Sequence, residues 1–339
     1  MNSHYKFQKI ADKVDHYQVN NKNQQLFSRK VDWVVTEKVH GSNFSIYYRD
    51  GQINFGKRNS LLKEDDWFYN YQLIQDKLTQ NICQLSKIMN HPRIVVYGEL
   101  FGGWYPDSVQ WTGPVGTRIN QDGVSLVSFE DRAIQEGVYY SPKIEFMVFD
   151  VATIEQDQPQ FINFFHMEEF LKQTDFFYSK PLMIGNFQEV QKYQLNFDSH
   201  IPAQLGLPSL PQGSNTAEGV VIKPVDPIFI KDKKGNQIRC LIKNKHPKFK
   251  EIVDDFSLSE AQNSFEFIFL KLVNQNRLQS VVSKIGRLTC DNKDEILDSL
   301  IEDTWTDFYI HYSQVQIVNE TKANDYLRKL CQTLINYNL

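Results

Sequence analysis

Residues 31–58 read VDWVVTEKVHGSNFSIYYRDGQINFGKR, and the organisation of the chain is decided in this stretch. VDWVVTE is an apolar run of strand type, ending on Glu37-Lys38-Val39-His40-Gly41. SNFSIYYRDGQINFGKR then gives two more such runs joined by Asp50-Gly51, a hairpin signal. A lysine at a strand end, close to other cations, can shed its proton and attack phosphorus. Gly41 would let the backbone turn closely around a nucleotide. Taken alone, K-x-H-G fits a surface lysine before a turn equally well, and His40 by itself fits a satisfied polar residue.

Outward from this stretch, the pattern repeats. Arg93–Leu100 (RIVVYGEL, with Glu99 near its end) and Glu145–Val151 (EFMVFDV) read as strands, and 64–90 carries helical spacing. Residues 101–142, rich in Gly, Pro and polar residues, read as a long loop or inserted arm. EGVVIKPV at 218–225 and IRCLIKNK at 238–245 form a further strand pair around Lys234-Gly235-Asn236. A period of two puts Lys243 and Lys245 on one face. Like charges placed so either flank an anion, for which phosphate is the obvious candidate, or belong to a solvated edge strand. After about residue 254 only Gly286 remains of the glycines, and apolar residues recur every three or four positions. The expected fold class is α+β: antiparallel sheets and helices over 1–254, then a small all-α domain over 255–339.

Composition sets the outer limits. With 41% hydrophobic and 23% charged residues over 339 positions, the chain has the balance of a soluble globular protein with a substantial core. Cys83, Cys240, Cys290 and Cys331 lie too far apart for a disulfide framework or a structural zinc site. No signal-peptide core opens the sequence and no run approaches a membrane span. The expectation is therefore a soluble intracellular protein, cytoplasmic or organellar. A net charge of -4 excludes a protein that is basic all over. Yet residues 223–250 hold nine cations (Lys223, Lys231, Lys233, Lys234, Arg239, Lys243, Lys245, Lys248 and Lys250) against Asp226 and Asp232. That local imbalance fits a polyphosphate or nucleic-acid face.

EKVHGSNF at 37–44, FGKR at 55–58, YGELFGGWYP at 97–106, FMVFDV at 146–151, EGVVIK at 218–223 and LIKNK at 241–245 occur in a telling order. Together they resemble the covalent nucleotidyltransferases, and specifically the RNA ligase 2 family with its RNA-editing relatives. Histidine rather than aspartate after the nucleophile separates that family from DNA ligases and mRNA capping guanylyltransferases. YGELFGGWYP and the later QEGVYYSP at 135–142 look closest to the editing branch, whereas NRLQSVVSKIG at 276–286 is similar to the helical C-terminal domain of RNA ligase 2.

The resemblance implies a nucleotidyltransferase domain of the ATP-grasp-like ligase type, using ATP and Mg2+, with Mn2+ as an alternative. Lys38 would carry AMP, Glu37 and Val39 would border the adenine, and Phe149 would stack on it. Arg58 and Glu99 would hold the ribose, with Asn43 nearby. Glu218 would position the metal, Lys243 and Lys245 would contact the α-phosphate and help keep Lys38 neutral, and His40 would assist. The implied partner is RNA, in the first place a nicked duplex, with no membrane. The rival readings are a DNA ligase, a capping enzyme, or a non-catalytic RNA-binding subunit on a ligase fold.

Overall fold

The computed structural model describes residues 4–20, 23–28, 31–106, 117–120, 123–126, 133–233, 235–251, 264–312, 315 and 317–339, with 117–120 and 123–126 as backbone only. The chain divides into Met1–His246 and Pro247–Leu339. In the first unit the elements are β1 (Asp32–Glu37), β2 (Ser42–Arg49), β3 (Gln52–Lys57), α1 (Gln75–Met89), β4 (Arg93–Trp104), β5 (Thr117–Asn120), β6 (Gly123–Leu126) and β7 (Ser141–Glu155). There follow β8 (Gln158–Phe161), α2 (Phe164–Leu171), β9 (Phe177–Tyr178), β10 (Pro181–Asn186), α3 (Phe187–Val190), α4 (Ile201–Gln204), β11 (Gly219–Pro224), β12 (Phe229–Lys231), β13 (Gln237–Arg239) and β14 (Ile242–Lys245).

β1 and β2 are consecutive but belong to different sheets. β1 lies inside a four-stranded sheet of order β10-β1-β11-β14, and β2 inside a second sheet of order β3-β2-β4-β7-β8, with β9 beside β7. All these pairings are antiparallel except β7 with β9. β1 is apolar on both faces because both are covered: Val34 joins the core of the larger sheet, while Trp33 and Val35 pack with Phe187, Val220 and Ile222. Residues 38–41 therefore bridge the two sheets. Gly41 is required there because a Cβ would overlap the Leu100 carbonyl of β4. Asp50 (φ 50°) and Gly51 (φ 88°) form the expected two-residue turn between β2 and β3.

Several expectations need correction. The helix expected over 64–90 is α1 alone. Before it, Phe68, Tyr69 and Tyr71 are buried, and Tyr69 and Asn70 take positive φ, so aromatic anchoring overrides helical spacing. IRCLIKNK is two strands, since β13 pairs with β12 while β14 pairs with β11. Much of the arm at 101–142 lies outside the described residues, although β4 runs on to Trp104 and β5 and β6 pair as a hairpin.

The second unit is helical: α5 (Phe265–Leu272), α6 (Gln275–Ile285), α7 (Lys293–His311) and α8 (Glu320–Tyr337). Ser264, Asn274 and Asn319 cap three of these helices by accepting backbone N–H bonds in the first turn. Its apolar core, with Phe269, Leu278, Leu300 and Leu327, closes around Arg277, which is 0% exposed. Arg277 reaches Asp303 at 2.7 Å and Asp307 at 2.8 Å, and its Nε donates to the Leu272 carbonyl, so the buried charge is fully partnered. The border expected at 254/255 lies outside the described residues. None of the described helices is long and apolar enough to cross a membrane.

Candidate active site

Backbone pairing brings the separate motifs together. The Lys38 amide donates to the Gly219 carbonyl at 2.9 Å, continuing the β1–β11 ladder, and Gly219 pairs in turn with Lys245 on β14. Gly219 sits at φ 148°, where a Cβ would overlap the Asn244 carbonyl. Across β1, β11 and β14, this aligns Lys38, Lys243 and Lys245 on one face. On the larger sheet Asn43 lies directly opposite Glu99, and Arg58 follows Lys57, the partner of Phe44. The two sheets thus contribute a lysine-bearing edge and a carboxylate-bearing edge to one place.

At its centre is Glu218, 1% exposed. Its Oε2 lies 2.6 Å from Lys38 Nζ and 3.5 Å from His40 Nδ1, and its Oε1 lies 2.9 Å from Lys245 Nζ. Burial alone would raise the Glu218 pKa, but Lys245, Lys38 and His40 outweigh it and hold the carboxyl well below its usual range. Glu99 behaves oppositely: burial pushes it up to about 8, against the pull of Lys38, Arg58 and Lys245 and with reinforcement from Glu218. The surroundings thus pull one of two neighbouring carboxyls down and push the other up.

The sequence expectation set Lys243 and Lys245 beside Lys38 as cations. The structure differs: the charge touching Lys38 is the Glu218 carboxylate, which Lys38 and Lys245 share, and Lys243 pairs with Asp12 at 3.1 Å. The basic run 223–250 is also dispersed. Lys223 and Arg239 are buried around Asp150, each 2.9 Å from one of its oxygens, while Lys248 and Lys250 belong to the second unit and Lys234 lies outside the described residues.

Glu37 projects from the opposite face of β1, 6% exposed. Its Oε2 accepts the His200 N–H at 2.9 Å, while its buried Oε1 has no hydrogen-bond partner among the described residues. Burial raises its pKa to about 7, although Ser199 and the His200 amide draw it down. Val39 is buried at 4% exposure. Phe149 packs edge-on against Phe7 at 5.0 Å, and its carbonyl accepts from Lys223 at 2.6 Å, so its described contacts do not reach the Glu218 cluster. Asp12, His200 and Tyr140 (whose hydroxyl accepts the His40 N–H) escaped the sequence reading, since each acts through a partner about a hundred or more residues away.

The donor set bears on any metal. Both Glu218 oxygens are occupied by lysines, and the described residues contain no group of three or more His, Cys, Asp or Glu able to hold an ion. A single carboxylate flanked by lysines suits a cation that arrives on phosphates.

The sequence pattern of the RNA ligase family matches residues 31–245, which include every residue of this cluster. The chain belongs to the RNA ligase family. Residues 256–333 match the T4 RNA ligase 2 C-terminal pattern. The mitochondrial RNA-editing ligase 1 of Trypanosoma brucei brucei is 29% identical over 308 residues, covering 76% of this chain and 64% of that protein. This chain therefore spans under two thirds of that relative's length. RNA-editing ligase 2 of the same organism is 25% identical over 341 residues, covering 85% and 79% respectively. The expected likeness to both the editing ligases and the RNA ligase 2 tail is borne out. A solved Naegleria gruberi RNA ligase with PPi is 16% identical, covering 72% of this chain and 58% of that one at a TM-score of 0.40, too low to bear on the site.

Proposed function

We propose that this chain is an ATP-dependent RNA ligase that joins 3′-hydroxyl and 5′-phosphate RNA ends, first of all at nicks in duplex RNA, through AMP carried on Lys38. The observation that carries the reading is the convergence of Lys38, Lys245 and His40 on the buried Glu218, with Glu99 and Arg58 within electrostatic reach. A carboxylate so thoroughly neutralised by cations forms a poised charge cluster into which a polyphosphate can exchange.

The chemistry follows from that exchange. An amine bridged to a carboxylate has its lone pair engaged by a proton, so Lys38 must leave Glu218 and lose that proton before attacking. Its nitrogen then bonds the α-phosphorus of ATP as the bond to pyrophosphate breaks, the new N–P nitrogen gives a further proton to solvent, and pyrophosphate departs. An oxygen of an RNA 5′-phosphate next displaces Lys38 from the AMP phosphorus, and the leaving nitrogen takes up a proton from solvent to restore the amine. Finally a 3′-hydroxyl attacks the activated 5′ end, loses its proton and expels AMP. Lys245 and Lys243 would receive the phosphates, and Arg58, Asn43 and Glu99 would hold the ribose. The unpartnered Oε1 of Glu37 suits the exocyclic amine of adenine, with Val39 beside it and Phe149 as the stacking ring. Glu218 would be the protein carboxylate for magnesium or manganese brought with the phosphates, which would supply charge neutralisation there.

Incubation with α-labelled ATP tests the reading. The wild-type chain should take up label that survives denaturation and is released by acid, and Lys38→Ala should take up none. Labelling of the alanine variant, or sealing of a nicked RNA duplex by it, would refute the assignment.

A further inference from the structure

Tyr140 is buried beside the turn that carries Lys38 and touches its backbone. Its ring is 1% exposed and meets Phe101 edge-on at 5.4 Å. Its hydroxyl accepts the backbone N–H of His40 at 2.9 Å, within the turn that carries Lys38. The neighbouring residue is clamped: the Asn215 side chain accepts from Tyr139 N at 2.8 Å and donates to Tyr139 O at 2.7 Å, and Asn215 is itself 3% exposed. The Asn215 backbone is tied in turn to Asp198. A chain of hydrogen bonds thus runs from residue 198 to the His40 amide.

The hydroxyl is also chemically distinctive. Burial, with Glu37, Glu218 and Glu99 nearby, keeps the phenol protonated far above the ordinary tyrosine range. Its oxygen accepts from the His40 amide, in the turn that carries Lys38.

We propose that Tyr140 is a positioning residue for self-adenylation: its oxygen fixes the His40 amide, and thereby the turn that aims the Lys38 amine at the α-phosphorus. This rests on the reading of Lys38 as the AMP carrier. Loss of the oxygen removes the hydrogen bond that holds the His40 amide and widens the orientations open to Lys38, which penalises attack more than nucleotide binding. The joining of already adenylylated RNA does not use the free Lys38 amine and should be spared.

The test is Tyr140→Phe in the full chain. Self-adenylation at saturating ATP should fall roughly ten- to a hundredfold, with KM for ATP changed less than threefold and sealing of chemically pre-adenylylated nicked RNA slowed less than threefold. Phe101→Leu disturbs the same ring packing but keeps the oxygen. It should lower Tm yet leave this division between steps absent. Wild-type adenylation by Tyr140→Phe, or equal losses in both steps, would overturn the proposal while leaving the Lys38 reading intact. Failure of the wild-type chain to take up label from ATP would instead remove that reading and the proposal with it.

Discussion

Replacing Glu37 with glutamine should stabilise the first unit at alkaline pH relative to wild type, and much less so near pH 5. The carboxyl is 6% exposed, and burial raises its pKa from 4.5 to about 7. An acid whose folded pKa lies above its unfolded value favours folding through its protonated form. That contribution is complete below about pH 4.5 and is lost as pH climbs through about 7. A rise of this size corresponds to about 3 kcal/mol. Glutamine keeps the shape and cannot ionise, so the stability difference between variant and wild type should widen by about that amount between pH 5 and pH 8. For a unit of this size the Tm gap should widen by about 6–12 °C. Calorimetry of both full-length proteins at the two pH values measures it, because Glu99 and Glu218 titrate in each and largely cancel in the difference. A Tm gap that stays the same at both pH values would show that Glu37 ionises like an ordinary surface carboxyl, and the argument from burial would fail.

Lys245 and Lys243 lie on one face of β14 but should differ sharply when replaced by alanine. Lys245→Ala leaves the buried Glu218 short of a partner and should cost about 3 kcal/mol in urea unfolding. Lys243→Ala should cost no more than about 1 kcal/mol, since its partner Asp12 is 61% exposed; equal losses would contradict the assignment of their counterions. A chain ending at residue 254 should still take up AMP from ATP but seal nicked RNA more slowly, as a labelled-duplex assay would show. Unchanged sealing by the shortened chain would exclude a role for the helical region in gripping RNA.

Hydrophobic period and turn chemistry are local properties. They sufficed to read β1, the β2–β3 hairpin, β4, β7, β11 and the four C-terminal helices directly from residue order. β10 was not legible: PLMIGN begins with Pro181 and contains Gly185, and only pairing with β1 makes it an edge strand. The helical spacing of residues 64–74 misled for a related reason, because burial of Phe68, Tyr69 and Tyr71 outweighs local preference.

The run around Lys38 shows the same division. Its residue types and their order, with the five further blocks, determined the family and the candidate nucleophile. Only the tertiary structure decided what Lys38 touches. Glu218 stands 180 residues away and reaches the Lys38 amine because β11 pairs with β1. Tyr140 reaches the His40 amide because β7 begins beside the end of β4. Coulombic and hydrogen-bonding energies depend on separations of a few ångströms, and those separations were fixed by sheet pairing between segments that residue order leaves far apart.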